Sequence, residues 1–292
     1  MINGFRTNAF LLLIPTNTRI TLHHNISGEA LALVHLLVKL AIQVNHPLQM
    51  SSATSKNVLI LGANSDVAKQ ALLLYAAKDY HITAASRSTD ELNSFITEHA
   101  IQGQVDVVYF DAVDYTSHRP FYDDLPQKPT IVVYAAGFLK NNEEALQEWK
   151  GSYQMMQVHY CGAVSILNII ATDTQNTHLE NIIGLSSLSG VRGRKSNFIY
   201  GSTKAAFTQY LAGLRQYLFD RKIRVNVIVA GYIRSKMTEG LDLPESLILE
   251  PAFIARSVVN PGKQFTIVPG FKWKIIYHIL KLLPESLVAK LP

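Results

Sequence analysis

The segment SSLSGVRGRKSNFIYGSTKAA, residues 186–206, carries a tyrosine four positions before a lysine and a serine thirteen positions before that tyrosine. If FIYGSTKAAFTQYLAGLRQYL is a helix, Tyr200 and Lys204 lie at i and i+4 on one face and act on one point. A phenol that titrates near ~10 exchanges protons poorly at neutral pH, and an adjacent ammonium favours the phenolate and moves that value down. Ser187 ends the apolar run LENIIGLSS and can reach the same point. Its hydroxyl would donate to a carbonyl oxygen and stabilise the charge that develops there during hydride attack. A Tyr-x-x-x-Lys pair alone arises often by chance, as a buried aromatic beside a solvated lysine. The serine spacing gives the pair its weight, because it puts all three groups on one strand, loop and helix.

Those elements need a scaffold, and the chain alternates short apolar runs with helical patterns from Lys56 onward. NVLIL, YHITAAS, QVDVVYF, PTIVVYAAG, LENIIGLSS, KIRVNVIVAG and QFTIVPG are separated by amphipathic stretches such as DVAKQALLLYAAK and TDELNSFITEHA. Near-continuous Val, Ile and Leu runs indicate strands covered on both faces. The expected fold is α/β: a doubly wound, Rossmann-like parallel sheet with helices on both faces, in one domain over residues 50–270.

The first run leads into LGANSDVAKQA, a glycine-bearing turn opening a helix whose N-terminal amides would face a phosphate. Gly62, Asn64, Ser65, Asp66 and Val67 form this candidate phosphate turn. Only Gly62 matches a dinucleotide fingerprint, since Asp66 and Ala68 stand where further glycines are expected. An aspartate there either caps the helix with its carboxylate turned away or repels the phosphates. Arg87 follows the second strand, where a ribose would lie, and no acidic residue ends that strand. A guanidinium matches a 2′-phosphate, so NADPH is expected over NADH, the alternative being a solvated arginine at a helix entry. Asp111 and Ala112 end the third strand, with Asp111 suited to an adenine amino group. Ala135, Ala136 and Gly137 end the fourth, where small residues let the main chain approach a ligand closely. One cysteine, Cys161, excludes a cysteine-rich metal site and a disulfide framework; no metal is expected, and a reducing, cytoplasmic setting suits the chain.

On these residues the chain resembles the short-chain dehydrogenase/reductase family from residue 56 to about 270. The family's serine, tyrosine and lysine fall on Ser187, Tyr200 and Lys204, its adenine-side aspartate on Asp111, its glycine loop on GANSDVA and its NAG motif on AAG. The resemblance implies NADP(H)-dependent reduction of a ketone to an alcohol by hydride transfer. Tyr200 would be the general acid, Lys204 would lower its pKa and hold the nicotinamide ribose, and Ser187 would orient the carbonyl. Two departures stand out. His159 occupies the place of the family's asparagine in the proton relay, where its ionisation would alter the pH profile. In VAGYIRSKMT, Ala230 precedes Gly231 where proline is common and Ser235 replaces a threonine, leaving cofactor contact through the backbone from Gly231 to Ile233. A homo-oligomer is the expected assembly.

Within the family the chain looks most like decaprenylphosphoryl-2-keto-erythro-pentose reductases, on GVRGRKSN, MTEGLDLP and the C-terminal tail. That likeness implies a lipid-linked keto-sugar, whose phosphate Arg192, Arg194 and Lys195 would face unless they form a solvated loop. The alternatives are another lipophilic ketone, a 3-oxoacyl substrate, or a nucleotide-sensing protein without turnover. The intact serine, tyrosine and lysine argue against the last, because binding alone needs no proton donor.

The formal charge of +5 sits at the ends of the chain. Residues 51–270 hold 20 basic and 20 acidic side chains, whereas residues 271–292 carry four lysines against Glu285. A neutral body excludes a nucleic-acid groove across the main fold. In the amphipathic basic tail, residues 271–292, Trp273, Ile276, Tyr277, Leu280 and Leu283 recur on one side, with Lys274, His278 and Lys281 on another. This pattern suits either a helix lying at the inner membrane surface, giving peripheral contact, or a helix docked on a subunit. Residues 1–49 differ in character, and ALALVHLLVKLAIQV is short for a span of roughly 20 apolar residues. They read as an N-terminal extension holding an amphipathic helix, or as untranslated sequence before a start at Met50.

Overall fold

Seven runs expected as strands form one parallel sheet in the order β3-β2-β1-β4-β5-β6-β7. The computed structural model describes residues 56–290. The expectations for residues 1–49, and for a start at Met50, lie outside the described residues. The strands are β1 (Asn57–Leu61), β2 (His81–Ser86), β3 (Val105–Tyr109), β4 (Ile131–Tyr134), β5 (Asn181–Ser187), β6 (Arg224–Ala230) and a short β7 (Thr266–Ile267). The helices include α1 (Asp66–Ala76), α2 (Thr89–Glu98), α3 (His118–Asp123), α4 (Asn142–Gln147), α5 (Trp149–Met156), α6 (Gly162–Thr172), α7 (Phe198–Tyr217), α8 (Pro251–Val259), α9 (Phe271–Leu282) and α10 (Glu285–Val288).

Alternation along each strand divides the core into two layers. Leu59, Leu61, Val132, Tyr134, Ile182 and Val227 face one way and pack under α6 and α7. Val58, Ile60, Val133, Ile183 and Ile228 face the other way, under α1 and α8. Both faces are therefore dry, which is why the strands read as unbroken apolar runs. The stretch Trp149–Thr172 has the length and hydropathy of a membrane span, yet half of it is buried in this core.

Chain order reverses between β1 and β4, which opens a crevice beyond their C-terminal ends. Gly62 turns the chain there with φ +85°, and a Cβ at that position would overlap the Ala136 backbone. Glycine is thus required twice over, for conformation and for space. The helix between α5 and α6 is locally a π-turn, Gln157–Cys161. Such bulges occur often at functional sites, and this one carries His159.

The C-terminal helix corrects the expected orientation of the tail. The row Trp273, Leu280, Ile276, Tyr277 and Leu283, expected as an interfacial face, packs on the main core instead. Trp273 is 5% exposed, its Nε1–H donates to the Leu247 carbonyl at 2.8 Å, and its ring meets Tyr232 edge-on. Gly231 lies flat against that indole, so a Cβ there would overlap the ring. Arg192 closes the other end of α9: its Nε donates to the Leu280 carbonyl at 2.8 Å and its Nη2 to Leu283 at 3.1 Å, while Nη1 pairs with Glu285. A guanidinium on the last free carbonyls caps the helix and opposes its dipole. Arg192 is therefore committed to α9 and not to a substrate phosphate.

The fit of Trp273 against Gly231 is directly testable. Overpacking of this kind costs about 1–3 kcal/mol. Gly231→Ala should lower the urea midpoint accordingly and shift tryptophan emission to the red, because Trp273 is the buried member of the two tryptophans and Trp149 is already 66% exposed. Unchanged emission with an unchanged midpoint would show that the contact carries no packing energy.

Candidate active site

The crevice at the strand reversal is a cleft of about 440 Å³. The turn Gly62, Asn64, Ser65, Asp66 and Val67 forms one wall, with Arg87, Asp111 and Ala112 at one end. Ala135, Ala136 and Gly137 form the floor, and Tyr200, Lys204 and Ile233 complete the far side. Parallel strands bring these sites together because all their C-terminal ends point one way. Of the residues expected from sequence, Ser187, His159 and Gly231 do not line the cleft itself. Ser187 ends β5 within hydrogen-bonding reach of the Tyr200 phenol, and its Oγ accepts the Ser189 amide at 3.2 Å. His159 stands behind Tyr200, and Gly231 is turned to Trp273.

The phosphate turn is built to leave amides free. No side chain caps α1, although Ser65 stands at its N-cap position. The Asp66 carboxylate is turned away and accepts the Lys236 amide at 2.8 Å, which decides between the two orientations considered for it. It pins the loop from Ser235 to Thr238 across the cleft rather than opposing a phosphate. Asn64 spends its amide on Ser86 Oγ at 2.9 Å and the Ser88 carbonyl at 2.7 Å, tying the turn to the end of β2. Asp111 Oδ1 accepts the Val113 amide at 3.1 Å. Arg87 is exposed, and its side chain has no hydrogen-bond or ion-pair partner among the described residues. These observations fit a dinucleotide with a further phosphate: free helix amides, a diverted carboxylate and an unpaired guanidinium.

Tyr200 and Lys204 share one face of α7, as the i and i+4 spacing requires. The Lys204 ammonium donates to the Leu185 carbonyl at 3.1 Å and lies 5.8 Å from the centre of the Tyr200 ring. Burial pushes the lysine down to about 8. Tyr200 is pushed up to about 12, chiefly by burial, with the Ser187 hydroxyl opposing. The expectation that Lys204 would hold the phenol below its ordinary value is thus not met: loss of hydration outweighs an ammonium at this distance.

His159 also departs from expectation. It is fully buried, its Nε2 accepts the Phe138 amide at 2.9 Å, and its Nδ1 faces Thr203 Oγ1 at 2.8 Å. Because Thr203 Oγ1 donates its own proton to the Tyr200 carbonyl at 2.7 Å, it must accept from Nδ1. Only the neutral Nδ1–H tautomer satisfies all three bonds. Burial, and then the Lys204 charge, hold His159 well below the usual histidine range. It therefore carries no ionisation in the neutral range, and both nitrogens are spent on the scaffold. Its ring meets Tyr200 edge-on at 5.3 Å.

Several lining residues escaped the sequence reading. Lys236 and Met237 reach the cleft from the loop after β6, and Lys236 Nζ pairs with Glu91 at 2.5 Å, as Lys69 does at 2.9 Å. Lys236 and Glu91 are 145 residues apart, which leaves no spacing signal. Phe138 and Leu139 extend the AAG motif, and adjacency to it was the only available clue.

The match to known proteins agrees with this geometry. Residues 56–245 match the model of the short chain dehydrogenase family. An uncharacterized oxidoreductase of Mycobacterium tuberculosis is 27% identical over 254 residues, covering 83% of this chain and 100% of the relative. A 3-oxoacyl-[acyl-carrier-protein] reductase of Thermotoga maritima is 24% identical over 190 residues, covering 64% of this chain and 77% of its own. Among solved structures, a short chain dehydrogenase of Burkholderia cenocepacia in complex with NADP superposes with TM-score 0.71 at 17% identity, covering 82% of this chain and 98% of its own. With a Rossmann-like sheet, a tyrosine and a lysine lining its crevice, and a family match over most of the described residues, the chain belongs to the short-chain dehydrogenases and is an oxidoreductase.

Proposed function

We propose that the protein reduces a ketone to an alcohol with NADPH, with Tyr200, Lys204 and Ser187 as its catalytic residues. The observation that carries this reading is that Tyr200 and Lys204 line a cleft whose other half suits a dinucleotide, with Ser187 at the end of β5 beside the Tyr200 phenol. A bound nicotinamide would supply the hydride. Ser187 donates a hydrogen bond to the carbonyl oxygen and stabilises its growing negative charge. Tyr200 gives that oxygen its phenolic proton. The phenol is fully protonated at neutral pH, as an unshifted one would also be, so it enters the step with a proton to give. Lys204, near 8, is mostly charged there and stabilises the phenolate left behind. His159 is a positioning residue, fixing the backbone of the first α7 turn through Thr203.

Preference for NADPH rests on Arg87, which lines the cleft without a partner among the described residues, whereas the Lys236 ammonium is already paired with Glu91. For the substrate, a polyprenyl-phosphoryl 2-keto-pentose is the favoured class. With Arg192 committed to α9, Arg194 and Lys195 remain on the loop before Tyr200, and neither side chain has a hydrogen-bond or ion-pair partner among the described residues. Arg194 Nε is buried without an acceptor. Both suit a phosphodiester-linked sugar. A 3-oxoacyl substrate is the second reading, favoured by the likeness to the Thermotoga reductase. An outward row of Trp149, Tyr153 and Tyr160 along α5 and the π-turn supports a homo-oligomer, and the single cysteine supports a cytoplasmic setting.

Four outcomes test these assignments. Tyr200→Phe should cut ketone reduction roughly 10²–10⁴-fold with NADPH binding nearly intact, and a near wild-type rate would remove Tyr200 from the proton step. Arg87→Ala should weaken NADPH by roughly tenfold or more, the scale of a lost charge-assisted pair, and leave NADH unchanged in fluorescence titrations. Equal losses would sink the 2′-phosphate assignment. The rate of reduction should fall as pH rises past about 8, as Lys204 loses its proton, and His159→Asn should not move that limb. His159→Leu, which leaves the Phe138 amide without its acceptor and takes from Thr203 Oγ1 the donor that fixes it, should lower kcat with little change in KM for NADPH; tolerance of Leu in both constants would reduce His159 to packing.

A further inference from the structure

The helix α9 is apolar on two opposite sides, and only one of them is buried. Trp273, Ile276, Tyr277 and Leu280 turn inward. Phe271, Ile275, Ile279 and Leu282, spaced by four, four and three residues, form a second row on the outward side. Phe271 is 78% exposed and Leu282 is 83% exposed. A globular protein that needed α9 only for packing would place polar side chains there. Lysines border the row instead: Lys272 on one edge, with Lys274 and Lys281 on the other, all exposed. No acidic residue occurs in α9, and Glu285 just beyond it is neutralised by Arg192.

We propose that this outward row docks the protein on an anionic lipid surface, the four apolar side chains entering the headgroup boundary and the flanking lysines pairing with lipid phosphates. An apolar stripe edged by lysines on both sides is the pattern of a helix lying in the plane of an interface. A second copy of this chain fits poorly, because two such helices face to face would set one lysine row against the other. The docking helix is also connected to the site. Its inner face holds Trp273 against Gly231 and Leu247, its first turn reaches the Ser246 carbonyl through Lys272 at 3.0 Å, and its last carbonyls are gripped by Arg192. It thereby bridges the loop before Tyr200 and the loop after β6, which flank the cleft. The proposal is independent of which ketone is reduced.

The test is flotation of the full chain with vesicles of phosphatidylcholine alone and of phosphatidylcholine mixed with phosphatidylglycerol. The chain should float with the anionic vesicles and stay down with the neutral ones. Phe271→Ser with Leu282→Ser, and separately Lys274→Glu with Lys281→Glu, should each lower the bound fraction by roughly tenfold. These side chains point outward, so the unfolding midpoint and turnover of a water-soluble ketone should stay near wild type. The charge-reversed pair keeps the test decisive if the serine pair lowers stability. Failure of the wild-type chain to float, or flotation of both double variants at wild-type level, would overturn the proposal. So would a result in which both pairs of substitutions split an oligomer in sedimentation while leaving vesicle binding unchanged.

Discussion

Gly62 lies so close to Ala136 that not even a methyl group fits between the two main chains. That approach is where β1 and β4, neighbours in space, send their connections in opposite directions, and the crevice it creates organises everything functional. Parallel pairing then supplies the rest of the site without further instruction, because β2, β3 and β5 deliver Arg87, Asp111 and Ser187 to the same edge of the sheet. Burial of both faces holds the strands in register, since a slip by one residue would turn each apolar row into the wrong layer.

At the chemical end of the crevice, dehydration governs. The Lys204 ammonium is buried and donates to the Leu185 carbonyl, and the Tyr200 phenol is raised chiefly by loss of hydration. The phenol therefore holds its proton across the neutral range, while the lowered lysine is mostly charged only below about 8. His159 contributes by having nothing left to give. Its two nitrogens are satisfied in one tautomer, so a residue type that usually titrates near neutrality acts here as a fixed spacer between the Phe138 amide and the first turn of α7.

The C-terminal helix shows how one amphipathic sequence can hold two apolar faces. Burial of Trp273 against Gly231 joins α9 to the loop that continues into the cleft. Arg192 joins it to the loop that precedes Tyr200. A helix fastened at both ends to the loops around a site is placed to present that site to whatever its outer face meets.

The order of strands and helices, and the placement of the Gly62 turn, Arg87, Asp111, Tyr200 and Lys204 around one cleft, were legible in the sequence, because each depends on spacing along one or two elements or on a residue type at a strand end. Short-range patterns carry that information, since periodicity sets the face and the end of a strand sets the place. Other facts needed the folded chain. The helix pattern around Trp273 showed that an apolar row existed but not which row would be buried, and the answer depended on Gly231, forty-two residues earlier, leaving room for an indole. Arg192 read as either a phosphate ligand or part of a solvated loop, because its partners, the last carbonyls of α9, become acceptors only once the two segments meet. The protonation states of Tyr200, Lys204 and His159 were likewise decided by tertiary structure, for a pKa depends on the water excluded by every element packed around the group, which local spacing does not record.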